Sequence, residues 1–175
     1  RQVLALVVDE VRALEEKIDG VDRQLAQLAD AHPVATRLQT IPGVGVLTAT
    51  ALVGAVGHIH AFRRGREFAS WLGLTPRETS SGGRRYLGRI SKRGDVHLRC
   101  LLAHGARSVL RVALQTAQRH PSRLTRLQQW ASTTATHRGR PKATIAIANK
   151  LARIVWAVWS REETYHARPP LPTAA

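Results

Sequence analysis

The feature that most constrains the fold is a heptad pattern of apolar residues at the start of the chain. These residues recur at alternating steps of three and four, and we call them the apolar seam: Leu4, Val7, Val11, Leu14, Ile18, Val21, Leu25 and Leu28. Charged residues occupy the other faces, so the pattern predicts one long helix over about residues 3–31. An apolar stripe of this kind packs either on its own domain or on another helix. We favour a coiled coil, through which the protein would form a homo-oligomer.

The rest of the chain has the pattern of further helices separated by proline and glycine. Pro33 ends the first helix region. Asp95 suits a helix N-cap, and Pro121 and Pro141 suit the first turns of the helices that follow them. Between residues 73 and 94 the helical periodicity stops, and the one strand signal is a short hairpin within this loop. Helices are expected at about 34–40, 46–56, 66–72, 97–115, 122–131 and 142–159.

Charge is distributed very unevenly along the chain. The net charge is +15, and residues 31–161 contain 22 Lys and Arg against three acids, Glu67, Glu78 and Asp95. Such a density repels itself unless a polyanion is present. A solvated basic surface and an anionic membrane are the alternatives, but the cations cluster around loops rather than along one amphipathic helix. The expected partner is therefore DNA or RNA, and no membrane.

The segment Ile41-Pro42-Gly43-Val44-Gly45 joins two predicted helices and has the form of a helix-hairpin-helix turn. Glycine allows positive φ and close approach of the backbone to a ligand. The N–H groups that begin the second helix can receive a DNA phosphate. Gly43, Val44 and Gly45 are therefore predicted to bind nucleic acid without reading its sequence. The alternative is a plain helical hairpin in which glycine only permits close packing.

The loop between residues 74 and 95 is rich in glycine and arginine. Guanidinium groups match phosphate oxygens well, and cations around a reacting phosphate stabilise its charge. Ser81 precedes a Gly-Gly pair here, where its hydroxyl could approach a phosphodiester. From chemistry alone, a flexible phosphate-binding loop with merely polar serines is the simpler interpretation. The predicted nucleic-acid-binding residues of the loop are Arg77, Arg84, Arg85, Arg89, Lys92 and Arg93.

A rival interpretation uses His58-Ile59-His60 with Tyr86 downstream. Single-strand nucleases of the His-hydrophobic-His class use such a pair as metal ligands and a tyrosine as nucleophile. They place the pair on a central strand, whereas here it joins two predicted helices. Loop histidines are the favoured interpretation.

The stretch from about Leu38 to Arg111 resembles the C-terminal domain of the insertion-sequence one-ten/one-sixteen transposases, which are bridge-RNA-guided recombinases. The resemblance implies a DNA transposase or recombinase domain, with a guide RNA as a further partner. It also implies that Ser81 attacks DNA and forms a covalent phosphoserine link, with neighbouring Ser80 as the alternative. The matching segments occur in the family's order and spacing: residues 41–45, 68–77, 81–82 and 90–94.

The resemblance further implies a RuvC-like domain before Arg1, whose four acids bind Mg²⁺. A two-metal site needs several converging carboxylates, and residues 31–161 offer three that are widely separated. No cofactor is therefore expected within this chain, and Mg²⁺ is expected in the preceding domain. A single cysteine, Cys100, fits a reducing compartment; we expect the bacterial cytoplasm, at the nucleoid.

The expected fold class is all-α, in three parts. Residues 1–32 form the coiled-coil helix, residues 33–166 a compact helical domain with the helix-hairpin-helix and the long glycine- and arginine-rich loop, and residues 167–175 a disordered tail. Two other function classes compete with the transposase. One is a non-catalytic helix-hairpin-helix DNA-binding module, and the other is a structural coiled-coil adaptor that does not bind DNA.

Overall fold

The computed structural model describes residues 1–84 and 86–169. Within these ranges the chain is mostly helical, as predicted, and its one sheet is a two-stranded hairpin. The helices are α1 (Gln2–Ala31), α2 (Pro33–Gln39), α3 (Val46–Val56), α4 (Gly65–Trp71), α5 (Val96–Arg119), α6 (Arg126–Arg138) and α7 (Arg140–Arg161). The strands are β1 (Pro76–Glu78) and β2 (Leu87–Ile90). The tail predicted at 167–175 lies outside the described residues from position 170 onward.

Capping residues explain where two helices begin. Asp95 caps α5 as predicted, and its Oδ1 accepts a hydrogen bond of 2.8 Å from the Leu98 N–H. The helix predicted at 122–131 was placed too early, because Pro121 opens a short 3₁₀ turn instead. The helix α6 begins after Thr125, which forms a reciprocal capping box with Gln128. The spacing Thr-x-x-Gln is the sequence signal for this start.

The core lies around α5 and α7, which pack against each other and against α6, while α4 packs on α7. Alanine alternates with larger apolar residues on the buried faces, so the helices approach closely. Of the four tryptophans, Trp159 is buried in this core. The rim residue Trp71 stacks on Phe68 at 5.9 Å between ring centroids. Among the described helices, none has the length and apolar character that crossing a membrane requires.

The predicted first helix is confirmed as α1, but within the described residues most of its apolar seam is exposed. Leu4 is 69% exposed, Ile18 58% and Leu28 63%. The helix joins the core at its C-terminal end, where Ala29 is fully buried and α1 contacts α2 and α3. The described part of the chain therefore leaves most of the seam without a packing partner.

Candidate nucleic-acid interface

The glycine- and arginine-rich loop forms an antiparallel hairpin, which we call the basic hairpin (residues 76–90). Pro76 pairs with Ile90 and Glu78 with Leu87, with a bulge between the two pairs. At the tip, the Arg84 N–H donates to the Ser81 carbonyl at 3.1 Å. Both central residues of this turn are glycines with positive φ, 59° and 77°. Positive φ at both positions defines the type I′ turn, whose twist suits a hairpin, so the Gly-Gly pair fixes the place of Ser81.

The two candidate serines lie in different surroundings. The Ser80 hydroxyl is part of the hairpin, because it donates to Glu78 Oε1 at 2.8 Å and accepts from the Tyr86 N–H at 3.3 Å. Ser81 is exposed beside the turn. In the part of the chain that the structure describes, its hydroxyl makes no hydrogen bond with the protein. Ser81 is therefore the serine whose oxygen is open to an incoming substrate.

The predicted phosphate-binding cations of the hairpin region all lie on the surface, apart from Arg85, which is outside the described residues. Arg77 bonds the Ser91 carbonyl through Nη2 at 3.2 Å, which orients its guanidinium along the hairpin. None of the five described cations forms a salt bridge to a described acid. Their charge is therefore available to an external anion. These cations are Arg77, Arg84, Arg89, Lys92 and Arg93.

The base of the hairpin depends on a buried arginine that the sequence did not single out. Arg99 extends from α5, and its Nη1 donates to the carbonyls of Leu72 and Gly94, both at 3.1 Å. These carbonyls lie on the two chain segments that lead into and out of the hairpin. Asn149 of α7 donates to the Leu74 carbonyl at 3.2 Å. The hairpin is thus anchored to both central helices, while its tip projects away from them.

The predicted turn between α2 and α3 is present. The Val44 N–H donates to the Ile41 carbonyl at 3.0 Å, and Gly43 has φ 84°. Both Ile41 and Val44 are buried, and a Cβ on Gly43 would lie 2.6 Å from the Gly105 carbonyl oxygen of α5. Glycine at position 43 is therefore required by packing on α5. Gly45 differs, because it is exposed, caps α3 and has open space around its Cα.

We expect Gly105→Ala to lower the free energy of unfolding by about 1–3 kcal/mol, because its Cβ would overlap the Gly43 carbonyl and force the turn away from α5. Gly54→Ala is the matched control, since Gly54 lies within α3 and has nothing within 4 Å of an added Cβ. There alanine should stabilise the helix by up to about 1 kcal/mol. Urea unfolding measures the change in the free energy of unfolding for both variants. Equal changes at the two glycines would contradict the packing contact between Gly105 and Gly43.

The histidine pair does not have the geometry of a nuclease site. His58 precedes a 3₁₀ turn at Ile59–Ala61, and His60 lies within it. The two rings meet edge to face at 5.7 Å, while Ile59 between them is buried. No strand carries the pair, and the described residues contain no group of three or more His, Cys, Asp or Glu that could hold a metal ion.

Comparison with known proteins finds a family model that matches the chain and several similar proteins. The model of the family described as "Transposase IS116/IS110/IS902 family" matches residues 35–121, which include the turn after α2, the basic hairpin and α5. The chain is 40% identical over 164 residues, 94% of its length, to a Pseudomonas aeruginosa protein named "Probable family 20 transposase" and covers 46% of that protein.

Two further relatives differ in how much of the chain they match. The transposase for insertion sequence element IS1111A of Coxiella burnetii is 39% identical over 165 residues, with 94% of the chain and 43% of the relative covered. A pilin gene-inverting protein of Moraxella bovis is 36% identical over 78 residues, with 42% of the chain and 24% of the relative covered. The chain thus spans less than half the length of the curated relatives it matches.

Proposed function

The chain belongs to the IS116/IS110/IS902 family of transposases, and from this premise we propose that it binds DNA through the basic hairpin and supplies Ser81 as the nucleophile of strand cleavage and exchange. One observation carries the proposal. Ser81 stands exposed at the tip of a cationic hairpin, next to a turn whose two glycines take the positive φ that this turn requires. A nucleophile needs this combination of fixed position and access to substrate.

The chemistry proposed for Ser81 is transesterification. The hydroxyl of Ser81 gives its proton to a base, and its Oγ bonds to the phosphorus of a DNA phosphodiester as the bond to one sugar oxygen breaks. That oxygen takes up a proton and leaves as a hydroxyl. The resulting phosphoserine link keeps the energy of the phosphodiester, so a second strand's hydroxyl can reverse the step without a co-reactant. Arg84, at the tip, and Arg89, on the strand that follows it, are proposed to balance the charge on the phosphate oxygens.

A serine hydroxyl is a weak nucleophile at neutral pH and needs a base or a metal to activate it. Glu78 is the carboxylate nearest in sequence, and it already bonds the Ser80 hydroxyl. We therefore propose that the activating acids, with Mg²⁺, come from the RuvC-like domain that the family resemblance implies. The same resemblance motivates the proposal that a guide RNA is a further partner and that the protein acts at the bacterial nucleoid.

Trapping of a covalent adduct tests the proposal. The complete transposase, supplied with Mg²⁺, guide RNA and end-labelled DNA, should retain label on the protein after denaturation, and the labelled peptide should contain Ser81. A labelled peptide that contains another residue would show that the nucleophile is misassigned. Salt-sensitive DNA binding with no adduct would favour the non-catalytic DNA-binding module. Absence of DNA binding would favour the structural adaptor.

We also propose that the apolar seam of α1 pairs with a second copy of the helix. Ile18→Lys places a charge within the seam, where burial of an unpaired ammonium is costly, so it should convert the wild-type oligomer to a smaller species. Ala5→Lys adds the same charge to the exposed α1 outside the seam and should leave the oligomer unchanged. Sedimentation velocity measures both. A wild type that is already monomeric would contradict the pairing.

A further inference from the structure

A second cationic surface shares no residue with the basic hairpin. It is a groove of about 680 Å³ between the start of α4, the outer face of α7 and the segment after α7, and we call it the α7 groove. Glu163 is the one carboxylate that lines it. Among the described residues, none of its six Lys and Arg forms a salt bridge. These cations are Arg64, Arg66, Lys150, Arg153, Arg161 and Arg168.

The walls of the groove are fixed by hydrogen bonds and packing contacts with neighbouring helices and turns. The segment after α7 is held where the Tyr165 N–H donates to Thr40 Oγ1 at 2.9 Å, and again where the Arg126 N–H donates to the Arg168 carbonyl at 2.9 Å. On the opposite wall, Gly65 packs so closely on α7 that an added Cβ would lie 3.2 Å from Arg153 Cα. The cations are therefore attached to a rigid frame, which lowers the entropy lost when a ligand binds.

The electrostatics of the groove favour an anion. Burial lowers the pKa of the Lys150 ammonium, and the neighbouring Arg153 and Arg126 lower it further. Lys150 Nζ lies 4.1 Å from the centre of the Trp130 ring, which offers a partial counter-charge only. Burial raises the pKa of the Tyr165 hydroxyl, although the neighbouring Arg168 opposes this. A bound polyanion would relieve the repulsion among these cations.

We infer that the α7 groove binds the sugar-phosphate backbone of a nucleic-acid strand, as a second site additional to the basic hairpin. Six cations spread over two helices and one extended segment exceed what a single phosphate needs, and they suit a chain of phosphates. The inference rests on the proposed nucleic-acid role of the chain but not on Ser81. Asn149 connects the two sites, because it lines the groove and also bonds Leu74 at the base of the hairpin.

The test compares three pairs of arginine-to-glutamine substitutions in the full chain, each of which removes two exposed cations. The groove pair is Arg153→Gln with Arg161→Gln, and the hairpin pair is Arg84→Gln with Arg89→Gln. The control pair is Arg119→Gln with Arg123→Gln, which belongs to neither site. Affinity for a 20-base-pair DNA duplex and for a single-stranded RNA of the same length is measured from 50 to 200 mM salt, after thermal unfolding has shown that each variant is folded.

Each lost phosphate contact should reduce the slope of log affinity against log salt by about 0.9 for duplex DNA and about 0.7 for a single strand. The groove pair should therefore lose roughly two contacts' worth of slope and on the order of tenfold or more in affinity, while the control pair keeps the wild-type slope. Of the two polymers, DNA and RNA, the one whose affinity falls further in the groove pair is the one that occupies the groove.

Two outcomes would overturn the inference. One is a groove pair that binds both polymers with the wild-type slope, and the other is a groove pair that loses no more than the control pair. If the groove pair weakens nucleic-acid binding and the hairpin pair does not, the result would instead contradict the hairpin part of the proposed function. The two proposals can therefore fail separately.

Discussion

Ser81→Ala is expected to abolish both the covalent protein–DNA adduct and strand exchange in the complete transposase, while DNA affinity stays nearly unchanged. The substitution removes the one atom proposed to bond to phosphorus, and loss of a nucleophile typically reduces turnover by on the order of 10⁴–10⁶. Binding should survive because the phosphate contacts come from the surrounding cations. The hairpin should also survive, since its turn depends on backbone groups of Ser81 and Arg84 and on two glycines rather than on the hydroxyl. Adduct yield on a denaturing gel and a filter-binding isotherm measure the two effects.

Ser80→Ala and Tyr86→Phe are the controls for this prediction. Ser80→Ala removes the bonds to Glu78 and to the Tyr86 N–H, so it should loosen the hairpin and lower the adduct yield only several-fold. Tyr86→Phe removes only the hydroxyl of a side chain that is 72% exposed, and it should have little effect on the adduct yield. An adduct that persists in Ser81→Ala but vanishes in either control would place the nucleophile at that residue. If all three variants retain strand exchange, the chain holds DNA and the chemistry lies elsewhere.

The helices could be predicted because their signals are local. The seam of α1, the N-cap Asp95 and the glycine-containing turn before α3 each depend on a few neighbouring residues. The start of α6 has an equally local signal, the pair Thr125 and Gln128, but Pro121 predicts a start at residue 122, where the structure has a 3₁₀ turn. Where two helix-start signals lie within a few residues of each other, the helix begins at the one whose first turn packs on the rest of the fold. The sequence around the signals does not contain that information.

The parts of the site that could not be predicted depend on contacts between distant segments. Gly43 could be recognised as a turn residue from its sequence, but the reason that it must be glycine is Gly105, which lies on another helix. The α7 groove combines Arg64 with Arg161 and Arg168, which only the packing of α4 on α7 brings together. Arg99 looks like any other cation of the basic region, and only the structure shows that it is buried.

Arg99→Met is expected to lower the free energy of unfolding by about 2–4 kcal/mol and to detach the hairpin from α5. Methionine fills much of the same space but cannot donate, so the carbonyls of Leu72 and Gly94 lose their shared partner at the base of the hairpin. Loss of a buried, charge-assisted hydrogen-bond donor has a cost of this order. For a chain of this size the melting temperature should fall by roughly 4–16 °C. Differential scanning calorimetry measures the loss, and hydrogen exchange of the hairpin amides shows where it acts.

Two further variants separate the hydrogen bonds of Arg99 from its charge. Arg111→Met makes the same substitution at an exposed position of α5 and should change stability by no more than about 0.5 kcal/mol. Arg99→Lys keeps the charge, but the shorter lysine side chain does not place its ammonium where Nη1 of the arginine lies, so it should recover only part of the lost stability. If Arg99→Met were as stable as Arg111→Met, or if hydrogen exchange of the hairpin amides were unchanged, Arg99 would not be the anchor.

If Arg99 is the anchor, the adduct yield of Arg99→Met should fall although Ser81 is intact, because the hairpin tip would no longer be held in a fixed position relative to the bound DNA.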